Sequence, residues 1–287
     1  MRAKIRDTEI YFDVEGGGLV PEGDRMREKP VAFLVHGGPG ADHTSFKPTF
    51  SALSQKMQLV FFDHRGQGRS ARGDKETYTL ENNVEDMEAL RQHLGLGKIV
   101  VIGVSYGGMV ALTYASRYPE NVSHLIPIVT VADSRFLERA KQNLEIRGTP
   151  EQKTIAQYLW DGSFETEAQL REYFQVTRSL YSVTADPDEP PSKTWNRAVL
   201  SIDAINVAFG GFLRSYDVRD QLPKITAPTL ILAGRHDWIC PPEFSEEIAQ
   251  AIPNSDLRIF ESSGHSIRAD EPEAMLDAIA GFIVYKQ

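Results

Sequence analysis

The chain has 287 residues, 41% of them apolar and 25% charged, a balance that fits one large α/β domain or a core with an insertion. It holds no apolar run of the roughly 18 residues a membrane helix needs, and a net charge of -9 opposes nucleic acid and anionic membrane surfaces, which call for clustered Lys and Arg. The single cysteine, Cys240, cannot close an internal disulfide, and the charged N-terminus lacks the apolar segment of a secretory signal, so a cytoplasmic setting is expected.

Polar and apolar residues alternate over 2–7 and 9–14, which predicts an opening hairpin. Gly16 to Gly18 and the charged stretch Glu22 to Lys29 read as a loop. Val31 to Val35 is a continuous apolar run, the pattern of a strand covered on both faces, and His36-Gly37-Gly38-Pro39-Gly40 follows it. A helical pattern covers Phe46 to Lys56. Leu59 to Phe62 is the second strand-like run; after it, Asp63 and Arg65 sit in a glycine-rich turn and are suited to hydrogen-bonding neighbouring loops. Leu80 to Leu94 places Val84, Met87, Leu90 and Leu94 at helical spacing. Ile99 to Ile102 is the third run and Leu125 to Val129 the fourth. Residues 133–222 then carry helical patterns and turns but no buried strand. Strand character returns at Thr229 to Leu232 and Leu257 to Phe260, and a helix over Glu271 to Val284 closes the chain with Pro272 in its first turn.

Strands alternating with helices imply a parallel, doubly wound sheet. The expected organisation is therefore an α/β core of residues 1–132 and 223–287, interrupted by a helical cap over 133–222. A cap at that point overhangs the carboxyl ends of the strands, where open α/β sheets bind ligands.

Gly103-Val104-Ser105-Tyr106-Gly107-Gly108 stands between a strand and the helix-prone Met109 to Ala115. Strand, Gly-x-Ser-x-Gly, helix is a nucleophile elbow, in which the serine hydroxyl is presented on a strained turn. Such a nucleophile needs a general base, an acid to orient it, and donors for the oxyanion. His265 lies on a loop past the last strand-like segment and is the expected base; His236 is the other histidine at a plausible strand end. Asp237, after Leu230 to Gly234, is the expected acid, with Asp133 as its competitor. The oxyanion donors are expected from the N–H groups of Tyr106, at the start of its helix, and Gly38, since Pro39 cannot donate. The His36 to Gly40 loop lacks the Gly-Lys-Ser/Thr of a phosphate-binding loop. No metal or organic cofactor is called for.

The His-Gly-Gly-Pro-Gly loop, Asp63 to Ser70, the Ser105 elbow, Gly234-Arg235-His236-Asp237 and Gly264-His265-Ser266 occur in one order that resembles the α/β-hydrolase superfamily. Within it, the first loop is most similar to proline iminopeptidases and tricorn-interacting aminopeptidases. The resemblance implies a mostly parallel central sheet flanked by helices with an inserted helical cap, and a serine hydrolase acting through an acyl-enzyme. It further implies an aminopeptidase or amidase acting on short peptides or amino-acid amides, in which cap carboxylates hold the free α-amino group. Glu165, Glu167, Glu172, Glu189 and Asp203 are among the acids of the cap, and Asp203 together with Trp195 lies in the region expected to touch substrate. The elbow reads Gly-Val-Ser-Tyr-Gly where typical iminopeptidases have Gly-Gly-Ser-Trp-Gly. A carboxylesterase or a lactonase, including one for acyl-homoserine lactones, is the alternative activity, and a non-catalytic ligand receptor is the alternative class. The expected partner is a small-molecule or short-peptide substrate, and the oligomeric state is left open.

Overall fold

The computed structural model describes residues 1–186 and 193–285. Strands β1 (Arg2–Ile5) and β2 (Thr8–Glu15) form the expected opening hairpin. Residues 16–29, expected as a loop, instead carry a second hairpin of β3 (Leu19–Glu22) and β4 (Arg25–Glu28). Its strands lie almost wholly in solvent, so no side of them alternates and no periodic signal marks them.

Strands β5 (Val31–Val35), β6 (Gln58–Phe62), β7 (Ile99–Val104), β8 (Val122–Ile128), β9 (Thr229–Gly234) and β10 (Ser255–Phe260) join β1 and β2 in one eight-stranded sheet of order β1-β2-β6-β5-β7-β8-β9-β10. β1 and β2 run antiparallel to their neighbours and the rest are parallel. Alternation sends successive residues of each strand into opposite cores. Phe33, Val60 and Val101 share register on one face, and Leu34, Phe61 and Ile102 share it on the other. Both sets are buried, which is why these strands read as unbroken apolar runs.

On the first face, α1 (Leu80–His93) and α2 (Tyr106–Arg117) cover the sheet, and this core continues into the segment after β8. That segment holds α3 (Phe136–Arg147), α4 (Pro150–Asp161), α5 (Glu167–Val176), α6 (Arg178–Tyr181), α7 (Lys193–Asn196) and α8 (Ile202–Gly210). Its two ends are joined where Asp133 and Asp217 form an antiparallel bridge and the Val218 N–H donates to Ala132 O at 2.8 Å. After β9 comes α9 (Pro242–Ala251), then β10, α10 (Ile267–Asp270) and α11 (Pro272–Tyr285). On the second face, Met275, Ile279 and Phe282 of α11 pack with Phe46, Phe50 and Leu53. The helix expected over Phe46 to Lys56 is two 3-10 turns, His43–Phe46 and Thr49–Gln55, because Pro48 lacks the N–H that would continue a helix through it. None of the described helices is long and apolar enough to cross a membrane.

Candidate active site

Six parallel strands end along one edge of the sheet, and the loops beyond four of them meet at one place. β7 delivers Ser105, β5 the His36 to Gly40 loop, β9 Asp237 and β10 His265. Ser105, Gly38, Tyr106 and His265 all line a cavity of about 630 Å³, roofed by residues between β8 and β9.

Ser105 adopts φ 56 and ψ -122, a conformation that costs a residue with a Cβ about 1–3 kcal/mol unless its surroundings enforce it. They do: its N–H donates to Ile128 O at 2.9 Å, and its carbonyl accepts from Gly108 N and from Thr130 Oγ1, both at 2.8 Å. The glycines allow the crowding. A methyl at Gly107 would overlap the Val35 carbonyl, and one at Gly37 would stand 2.8 Å from Val104 O and 3.1 Å from Ser105 Cβ. The loop after β5 therefore passes directly against the serine. Tyr106 N opens α2, where unpaired N–H groups and the helix dipole favour negative charge. The Tyr106 hydroxyl, buried, accepts from Asn83 Nδ2 at 2.6 Å, and burial holds it protonated.

His265 Nδ1 donates to Asp237 Oδ2 at 2.7 Å, and Asp237 Oδ1 accepts the N–H groups of Ile239 and Cys240, each at 2.9 Å. The carboxylate is buried, so both oxygens are committed and the imidazole is fixed with Nε2 free to take a proton. The Tyr181 ring packs edge-on against His265 at 5.5 Å. His236 is exposed, and Asp133 is bound to Arg135 at 2.7 and 2.8 Å, so neither joins this cluster. Asp237, Cys240 and His265 bring ligand atoms within 4.8 Å of one another. Burial, and next the Asp237 charge, push the Cys240 thiol well up, which keeps it protonated and makes it a poor metal ligand.

Behind the β5 loop lie two buried histidines. His36 Nε2 accepts from His64 N at 3.1 Å while its Nδ1 donates to Gly37 O at 2.9 Å, and the rings are 4.4 Å apart. Burial lowers both pKa values, that of His64 well below the ordinary range. Asp63 accepts from His43 N and Nδ1 and from Arg69 N; these bonds outweigh its burial and hold its pKa low. Arg65 grips Asp86 through two hydrogen bonds, 2.6 and 2.7 Å, and reaches Asp7. Asp63 thus holds neighbouring loop residues, as expected of its turn, while Arg65 ties the turn mainly to α1 and also to Asp7.

Of the residues expected to touch substrate, Trp195 lines the cavity with Tyr173, Phe174, Tyr181 and Phe209. Asp203 is exposed in the first turn of α8 and is not in the described cavity wall, and neither are Glu165, Glu167 and Glu172. Glu189 lies outside the described residues. The sequence reading missed Asp42, buried in the wall, with Oδ1 accepting Thr44 N and Oδ2 accepting Arg69 Nη1 and Val199 N. No local pattern marks it, because Val199 is 157 residues away.

The profile of the alpha/beta hydrolase fold family matches residues 30–272. A proline iminopeptidase of Lactobacillus helveticus is 33% identical over 93% of this chain and 92% of its own. The proline iminopeptidase PfmaB of Pestalotiopsis fici is 30% identical over 94% and 97%. The crystal structure of a Mycobacterium smegmatis proline iminopeptidase superposes with a TM-score of 0.78 at 21% identity, covering 100% of this chain and 98% of that one, a likeness of fold. Sheet order, strand-end loops and relatives agree: this chain is a hydrolase and belongs to the α/β-hydrolase fold family.

Proposed function

We propose that the protein is a serine hydrolase in which Ser105, His265 and Asp237 form a catalytic triad working through an acyl-enzyme. The observation that carries this reading is the 2.7 Å bond from His265 Nδ1 to a buried Asp237, beside a serine held at positive φ on the same cavity. Ser105 Oγ attacks the substrate carbonyl as its proton passes to His265 Nε2. Asp237 fixes the tautomer and stabilises the imidazolium. The N–H groups of Gly38 and Tyr106 receive the oxyanion. Collapse breaks the carbonyl bond to the leaving group, which takes the proton from Nε2. Water then enters, gives a proton to Nε2, and releases the acid while Ser105 regains its hydrogen.

The bond cleaved is, on this reading, the amide of a short peptide or amino-acid amide, which the names of the relatives support. Residues 133–222 act as a cap that selects substrate, with Trp195, Tyr173, Phe174 and Phe209 forming apolar wall. The single, buried Cys240 fits a cytoplasmic setting. A second reading, carboxylesterase or lactonase, has one observation in its favour. Among the described lining residues the only carboxylate is Asp42, whose oxygens are already committed, so no free acid waits there for an α-ammonium group.

A fluorophosphonate probe should label wild-type protein at Ser105 and leave Ser105→Ala unlabelled; an unlabelled wild type sinks the triad. Turnover of proline or alanine p-nitroanilide, lost on N-acetylation, supports the aminopeptidase. Turnover of p-nitrophenyl esters or a homoserine lactone alone decides for the second reading.

A further inference from the structure

The described wall of the cavity carries cationic side chains as well as apolar ones. Lys47 is ion-paired with Asp13 and Glu15, at 2.5 and 2.8 Å, and Arg178 is engaged by a partner of its own. Arg268 differs. It follows His265 by three residues, on α10, and is half-buried in the same wall. Among the described residues it makes no hydrogen bond or ion pair.

The charge of Asp270, the acid nearest in sequence, favours the Arg268 cation, but its carboxylate makes no hydrogen bond or ion pair with the guanidinium. Asp270 Oδ1 accepts from Ser182 Oγ, Thr184 N and Thr184 Oγ1 at 2.5, 3.1 and 2.8 Å, and Oδ2 accepts from Gly264 N at 2.9 Å and Val183 N at 3.3 Å. Five donors saturate that carboxylate. Burial opposes the Arg268 charge and draws its pKa down, yet a guanidinium stays protonated at any ordinary pH. Arg268 is therefore a half-buried cation in the wall of the cavity that also holds His265, with donors that no group among the described residues takes, so an anionic group entering the cavity meets an uncommitted guanidinium there.

We propose that Arg268 is a substrate-positioning residue that pairs with a carboxylate on the substrate, so that the site takes small acyl or peptidyl compounds bearing an anionic group. The proposal rests on the reading of Ser105 as nucleophile. The planar fork of donors suits a carboxylate held through two hydrogen bonds. That carboxylate has two possible sources: the C-terminus of a short peptide, on the leaving group, or the far end of a dicarboxylic acyl group.

Two matched pairs separate the sources. One sets the dipeptide alanyl-alanine against its C-terminal amide; the other sets the p-nitrophenyl monoester of glutaric acid against p-nitrophenyl pentanoate. In wild type, kcat/KM should favour the carboxylate member of one pair by about 10- to 100-fold, the range of a charge-assisted hydrogen bond. In Arg268→Gln that ratio should fall toward unity through KM, and Arg268→Lys should keep part of it. If neither pair turns over, protection of Ser105 from the fluorophosphonate by glutarate reads the same contact, present in wild type and lost in Arg268→Gln. Equal ratios, or equal protection, in wild type and Arg268→Gln with Ser105 labelled overturn the proposal alone. An unlabelled wild-type Ser105 overturns the site reading beneath it.

Discussion

His265 Nδ1 stands 2.7 Å from Asp237 Oδ2, and the second oxygen of that carboxylate is held by the Ile239 and Cys240 N–H groups. Asp237→Asn keeps the volume but offers an amide to Nδ1, which favours the tautomer with its proton on Nε2 and, in the proposed triad, removes the base. Turnover should fall by about 10⁴-fold while the unfolding midpoint barely moves, following the same exchange in a serine protease triad. Steady-state kinetics of the folded variant within tenfold of wild type would show that Asp237 does not orient the base.

Gly107 and Gly281 make opposite predictions from one substitution. A Cβ at Gly107 has no room, because it overlaps the Val35 backbone where α2 crosses the sheet. Gly107→Ala must push the elbow off β5 and should cost more than about 4 kcal/mol or prevent folding. At Gly281, inside α11, a Cβ meets nothing within 4 Å. Gly281→Ala should stabilise the protein by about 0.5–1 kcal/mol by removing backbone freedom from the unfolded chain. Urea unfolding of the two variants tests both; a soluble Gly107→Ala with wild-type stability would contradict the close crossing.

These elements explain what a reader of the sequence can see. Strands buried on both faces announce themselves as apolar runs, and a turn that needs Gly on both sides of a serine leaves a short local signature. Ser105 and Asp237, proposed for the triad, each stand just past such a strand, whereas His265 follows β10, whose residues alternate between partly buried and exposed. The β3–β4 hairpin buries nothing and leaves no pattern. Asp42 joins Arg69 and Val199 by contacts across 27 and 157 residues, a relationship no local window contains. Asp203 shows the converse: helical spacing places it on α8, and only the packing of α8 decides that it faces solvent.

The His36 and His64 pair should make stability fall on mild acidification. Both are buried and neutral, with pKa values below the ordinary one, so the native state refuses protons that the unfolded chain accepts below about pH 6.5. Their contribution is complete above that pH and is lost as pH falls toward the depressed native values. Each histidine sets a slope of up to about 1.4 kcal/mol per pH unit in that window. Denaturant unfolding at about pH 7.5 and 5.5 should show the loss, and His64→Gln should remove about half of it, since one of two titrating groups is gone. A slope unchanged in His64→Gln would assign the effect to other groups.

Arg69 ties residues 197–201 to the loop that carries Gly38. Its Nη1 donates to Asp42 Oδ2 at 2.7 Å and its Nη2 to Arg197 O at 3.2 Å, while Asp42 Oδ2 also takes Val199 N and Gly40 O takes Ser201 N at 2.8 Å. Arg69→Met leaves the wholly buried Asp42 carboxylate without its cation. Removing one partner of a buried pair costs about 3–5 kcal/mol, and the partial exposure of Arg69 puts this case near the lower end. Asp42 must then either draw in water or release the strand of chain above it. In both cases the Val199 and Ser201 amides should exchange faster with solvent, by more than the global loss of stability explains, and KM should rise as the wall beside Trp195 loosens. Amide exchange at Val199 that tracks global unfolding alone would place the anchor elsewhere in the 197–201 segment. Asp42→Asn separates charge from shape: it keeps one oxygen to accept Val199 N, so exchange there should stay slower than in Arg69→Met, although the ion pair is gone from both.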